Sequence, residues 1–317
     1  MVEAYLNGIF PRSKALIGAT RGLDRGRVPE AEVRATLEGD VRDLVAWQVE
    51  AGFGHVSDGL LNWPDLFRPF AGAWKGVELG GLTRWFDNNT FYRAPVITAP
   101  LQPRPVAKEF FQVGLLPDGH PWQAVLPGPY TFLTRAENHA YASSGEALHA
   151  LADALKATAE DLREGGFRLL HFQEPALAVD PPDADGLAEV RAAYEVLRTS
   201  GMQTALHLFF GSAQPLLPDL LDFPVDLLGV DLYQEELDEL KELDFTKALV
   251  CGCVDARNSH LEEPGEVAAL VAWLREALAP PSVVLAPNAD LEFLPRTVAR
   301  AKVKVLGAAK KELEAAG

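Results

Sequence analysis

From about residue 120 onward, short apolar runs alternate with amphipathic helical patterns, and no other feature restricts the fold as tightly. The runs cover 122–126, 168–172, 204–210, 226–232, 248–254 and 283–286, with helical patterns over 145–163, 186–199, 264–278 and 294–315 among them. Strands that are apolar throughout and alternate with helices belong to a parallel sheet buried on both faces. Two further strand patterns, 4–9 and 55–58, enclose a helical pattern over 30–51. Eight strands with intervening helices predict an α/β chain folded as a (β/α)8 TIM barrel, and residues 1–317 suit one such domain. A doubly wound open sheet is the alternative, but no Gly-x-Gly-x-x-Gly loop follows the first strand. Residues 60–121 then form a long insertion after the second strand, rich in Pro, Gly and aromatics. Insertions at the C-terminal face of a barrel usually build the substrate site or a lid.

Charge narrows the choice of partner. Lysine and arginine total 29 against 45 acids, a net charge of −16. Nucleic acid and anionic membrane are excluded as partners, because each requires a basic face. The first residues lack the basic and then apolar regions of a signal peptide, and no run approaches ~20 apolar residues, so a cytoplasmic location is expected. An anionic small molecule stays compatible, since Arg12, Lys14, Arg21, Arg25 and Arg27 concentrate near the N-terminus. Cys251 and Cys253 lie two apart in a strand, on one side and poorly placed for a disulfide. They read as small apolar core residues, with zinc ligation as the alternative.

One decapeptide within the insertion, Thr83-Arg84-Trp85-Phe86-Asp87-Asn88-Asn89-Thr90-Phe91-Tyr92, combines four rings with two amides, a carboxylate and a guanidinium. Rings supply contact area and amides fix orientation, a mixture suited to planar polar ligands. A hairpin corner whose asparagines cap their own turn is the other reading. Polar groups also recur where the strands should end: Asn7, Asp58, Tyr130, Gln173 with Glu174, His207, Asp231, Asp255 with Asn258, and Asn288 with Asp290. Together they predict a pocket at that face. Pro175 forces Glu174 out of helical geometry, which holds its carboxylate at a strand end as an ammonium ligand or a base.

With these motifs in place, the chain resembles the cobalamin-independent methionine synthases along nearly its whole length. Gly8-Ile9-Phe10-Pro11-Arg12, the decapeptide, Gly128-Pro129-Tyr130-Thr131-Phe132-Leu133, Glu174-Pro175-Ala176-Leu177 and Asp255-Ala256-Arg257-Asn258 carry the likeness. The likeness is closer to that family's N-terminal, zinc-free barrel. It implies methyl transfer from a methylated folate, or another donor, to a homocysteine-type thiol. It also implies that Arg84, matching a tail-binding lysine, and Arg12 with Lys14 contact the folate's anionic tail. Asp87, Asn88, Tyr130, Asp255 and Asn258 are then substrate-binding candidates, and Glu174, His207 and Asp58 catalytic ones. The family's catalytic zinc uses a His-x-Cys pair, a glutamate and a late cysteine. Here His207 matches the histidine, but Phe209, Asp231 and Ala289 stand at the other three places. No metal ligand set is therefore expected, unless Cys251 and Cys253 join His207. The alternatives are a non-catalytic folate-binding barrel serving a separate zinc-bearing subunit, and a metal-independent, decarboxylase-like enzyme of the same superfamily.

Overall fold

The computed structural model describes residues 2–316. In chain order the strands are β1 (Val2–Ala4), β2 (Lys75–Arg84), β3 (Phe91–Gln102), β4 (Trp122–Pro127), β5 (Glu137–Asn138), β6 (Phe167–Gln173), β7 (Gln203–His207), β8 (Leu227–Asp231), β9 (Ala248–Val254) and β10 (Val283–Pro287). Seven of them make one curled, all-parallel sheet in the order β1-β10-β9-β8-β7-β6-β4. Helices pack outside it, among them Glu30–Glu50, Ser144–Glu164, Ala184–Leu197, Pro264–Leu278 and Arg296–Ala316. Their starts are written locally. Ser143 and Asp183 accept from the amides of Glu146 and Gly186, and Pro264 occupies a first-turn position where its missing N–H costs nothing.

The expected strand at 55–58 is reduced to a single parallel bridge between Val56 and Trp122. Its backbone is otherwise engaged: the Gln48 side chain accepts from Ser57 N and donates to Ser57 O. The segment still occupies the space between β1 and β4. Gly54 N donates to Ala4 O, Val56 N to Pro121 O, and Gln123 N to Val56 O. The first strand is likewise shorter than expected, ending at Ala4 rather than residue 9.

Side chains alternate across the pleat. On the concave side, Leu169, Ala205, Leu227, Val250 and Val284 pack around Tyr5 in a small cluster of their own. Their neighbours Leu170, Leu206, Leu228, Leu249, Cys251 and Leu285 belong to the main core beneath the helices. The insertion is packed through aromatic rings, both its own and that of Phe132 in the helix after β4. Phe67 meets Phe132 at 5.1 Å between centroids, Trp74 stacks on Phe132, and Trp63 donates its indole N–H to Phe110 O. Among the described residues no helix is long and apolar enough to cross a membrane.

Candidate functional site at the C-terminal ends of the strands

The innermost polar groups form a chain across the concave side. Tyr5 Oη lies 3.2 Å from His171 Nδ1, His171 Nε2 lies 3.3 Å from His207 Nδ1, and Asn7 Nδ2 is 3.1 Å from the same His207 nitrogen. Asn7 Nδ2 also donates to Pro287 O at 2.6 Å, which fixes the orientation of the amide. His207 Nδ1 is then an acceptor, and Nε2 carries a proton with no protein partner. Burial holds both imidazoles neutral: the His171 pKa lies well below its ordinary value, with His207 reinforcing the shift, and that of His207 drops to about 3.

Two other predicted catalytic carboxylates are fixed by backbone amides. Glu174 has no exposed surface and accepts from Tyr130 N, Thr131 N and the Tyr194 hydroxyl. Burial pushes its pKa up to about 7 despite those bonds. A side chain on Gly128 would collide with this carboxylate, so the glycine is what admits it. Asp58 accepts from Leu60 N and Gln112 N, tying the two ends of the insertion together. Both groups thus serve as anchors in this geometry.

The decapeptide is the tip of the β2–β3 hairpin, paired in register Arg84↔Phe91. Arg84 donates to Asn88 O at 2.6 Å and Asp87 O at 3.1 Å, so its guanidinium closes the turn. Asn88 is buried and donates to Trp85 O. Trp85 and Tyr92 pack on Phe67, while Phe86 crosses to Phe210 at 5.6 Å. Both Phe86 (φ 49°) and Phe210 (φ 72°) adopt left-handed backbone, and Arg135 and Arg257 cover their rings. Asp87 completes the contact with an ion pair to Arg257 Nη2 at 2.9 Å. The hairpin tip is thereby brought to the loop after β9, where Asp255 accepts from Arg257 N and Asn258 from His260 N. Tyr130 is half-buried and donates its hydroxyl to Asp180 O.

Arg12 and Lys14 lie elsewhere, in an open groove of about 960 Å³ between the loops that follow β1 and β10. Arg21, Arg296 and Arg300 line it as well, with Arg296 and Arg300 resting on the Trp47 face. Sequence reasoning missed Arg296 and Arg300, although their i, i+4 spacing in a helix's first turns places them on one face. Arg84 does not line this groove.

The zinc ligand set that the resemblance raises does not fit these residues. Cys251 and Cys253 project into the helix-covered core, on the opposite side of β9 from His207. Burial pushes the Cys253 thiol up to about 12 and that of Cys251 well above its usual range. Asp231 accepts from Asn288, Ala289 offers no donor atom, and the described residues contain no group of three or more potential metal ligands.

A family model described as the cobalamin-independent synthase N-terminal domain matches residues 62–279. The methionine synthase of Saccharolobus solfataricus is 24% identical over 301 residues, spanning 93% of this chain and 90% of its own length. That of Sulfurisphaera tokodaii is 23% identical, spanning 93% and 88%. A B12-independent methionine synthase from Shewanella sp. W3-18-1, solved with selenomethionine, has the same fold at a TM-score of 0.82 and 18% identity, covering 99% of this chain and 98% of that one. A methyltransferase from Methanosarcina mazei is similar at a TM-score of 0.62 and 15% identity, covering 98% and 94%.

Proposed function

The chain belongs to the cobalamin-independent methionine synthase family, and on that footing we propose that it holds a folate-type donor for methyl transfer to a homocysteine-type thiol. The basic groove carries this reading. In a chain of net charge −16, five cationic side chains gather along one depression beside the strand ends. An anionic tail is the ligand such a depression attracts, with Arg12 and Lys14 among its cationic lining. The donor's ring system would then extend toward the hairpin tip, with Asp87, Asn88, Tyr130, Asp255 and Asn258 as its candidate contacts. Residues 54–58 are taken to supply the eighth position of a closed (β/α)8 barrel.

A second reading rests on the thiol. A thiol with a pKa of about 8.5 needs activation, and the residues here do not fit the zinc that the resemblance implies for that step. The protein would then act as a donor-binding barrel beside a separate zinc-bearing subunit. His207, Glu174 and Asp58 contribute positioning in either case.

Equilibrium titration with methyltetrahydrofolate triglutamate tests the proposal. The Arg12→Ala/Lys14→Ala double variant should bind about tenfold more weakly, in keeping with about 1.4 kcal/mol for the two contacts together. Equal affinity in the double variant and the wild type sinks the groove assignment. Arg84→Ala should leave affinity unchanged, and a loss there would move the tail to the hairpin tip. Methionine formation from homocysteine by the isolated chain would overturn the second reading.

A further inference from the structure

Lys302, in the helix Arg296–Ala316, has no exposed surface. A lysine is almost never fully buried unless its charge is matched. Here the three ammonium protons meet three acceptors: His260 O at 2.7 Å, Glu262 Oε1 at 2.7 Å and Glu262 Oε2 at 3.0 Å. Both partners lie in the loop 255–263, which joins β9 to the helix Pro264–Leu278. A helix on the outside of the sheet thus reaches a loop at the strand ends through a buried charge.

That loop forms neither helix nor strand, and side chains hold its backbone. Glu262 Oε1 accepts from Asp255 N at 2.9 Å, which draws the end of the loop back onto its start. The Tyr233 hydroxyl, from the loop after β8, lies 3.3 Å from the same oxygen. Asn288 Oδ1 accepts from Ala256 N at 2.8 Å. Asn258 Oδ1 accepts from the N–H of His260, the residue whose carbonyl Lys302 binds. Arg257 sits between these anchors, and its guanidinium crosses to the Phe210 ring and to Asp87. The Arg257–Asp87 pair is open to solvent, so it holds the hairpin tip only while the loop presents Arg257 in place.

We propose that Lys302 is a positioning residue: acting through Glu262, it closes the loop 255–263 and presents Arg257 to the hairpin tip. A buried ion pair adds little to stability over apolar residues of similar volume. Its contribution here is the selection of one loop geometry, because a single carboxylate oxygen accepts from Lys302 and from Asp255 N at once. The C-terminal helix and the tip over the strand ends are thereby coupled. The coupling needs no bound donor, so it stands or falls separately from the donor reading.

Amide exchange of the full chain, read by mass spectrometry beside thermal melts, tests this. Lys302→Met keeps the length of the side chain without its charge, and exchange should accelerate several-fold over 255–262 and at Trp85 and Asn88. That variant leaves Glu262 without its cation, so Lys302→Met/Glu262→Leu, which removes both charges, is the arbiter. The double variant should melt close to the wild type while exchange at the tip stays fast, a split that a merely structural pair does not produce. In the Arg257→Ala background, Lys302→Met should add nothing at Trp85 and Asn88 while still loosening 255–262. Wild-type exchange at the tip in the double variant, or additive acceleration there in the Arg257→Ala background, overturns the proposal.

Discussion

His207 shows how one buried side chain can set a pH dependence without touching solvent. It is wholly enclosed, accepts at Nδ1, and has its pKa lowered from 6.5 to about 3 by burial. A depressed pKa means that the unfolded chain binds this proton more readily than the folded one. The stabilising contribution is complete above pH 6.5 and is lost as pH falls toward 3. Glu174 works in the opposite direction: its pKa is raised to about 7, and the stability it lends at low pH fades as pH rises through that value. The wild type should therefore lose stability faster than His207→Asn between pH 6.5 and 4, by up to about 1.4 kcal/mol per pH unit. Urea unfolding of both proteins at several pH values measures this, since Glu174 titrates equally in each. Parallel pH profiles would rule the assignment out.

At the scale of elements, the hairpin is the part whose behaviour the packing defines most sharply. Its body is fixed by Trp85 and Tyr92 on Phe67, whereas its tip is held by Phe86 on Phe210 and by the exposed Asp87–Arg257 pair. An exposed pair contributes about 1 kcal/mol or less. Arg257→Ala should leave the global unfolding midpoint nearly unchanged while amide exchange at Trp85 and Asn88 accelerates several-fold, as read by mass spectrometry. Uniform acceleration over the whole chain would contradict a local clamp. Much of this level is legible in the residues alone. The run over 248–254 and the pattern over 264–278 coincide with β9 and its following helix, because an unbroken apolar stretch and Pro264 mark their limits. The segment 55–58 is not legible in the same way, since Gln48 binds the backbone of Ser57 from a neighbouring helix. The groove mixes both cases. Arg296 and Arg300 declare a shared face, but only the fold brings Arg12 and Lys14 opposite them.

For the molecule as a whole, a basic groove on a strongly acidic body makes binding of a polyanion sensitive to screening. Raising ionic strength from about 0.1 M to about 1 M shortens the screening length from about 10 Å to about 3 Å. Affinity for the triglutamate form should fall across that range while affinity for the monoglutamate form changes little. An equal response of the two forms would show that the groove does not meet the tail. The contact between Phe86 and Phe210 has a further consequence for the molecule. Left-handed backbone costs about 1–3 kcal/mol at each phenylalanine, while an aromatic pair returns about 0.5–1.5 kcal/mol and each cation–π contact about 0.5–1 kcal/mol. Cost and return are of similar size, so these contacts offset the strained backbone with little to spare, and removing either ring face should loosen the tip before it loosens the body of the hairpin.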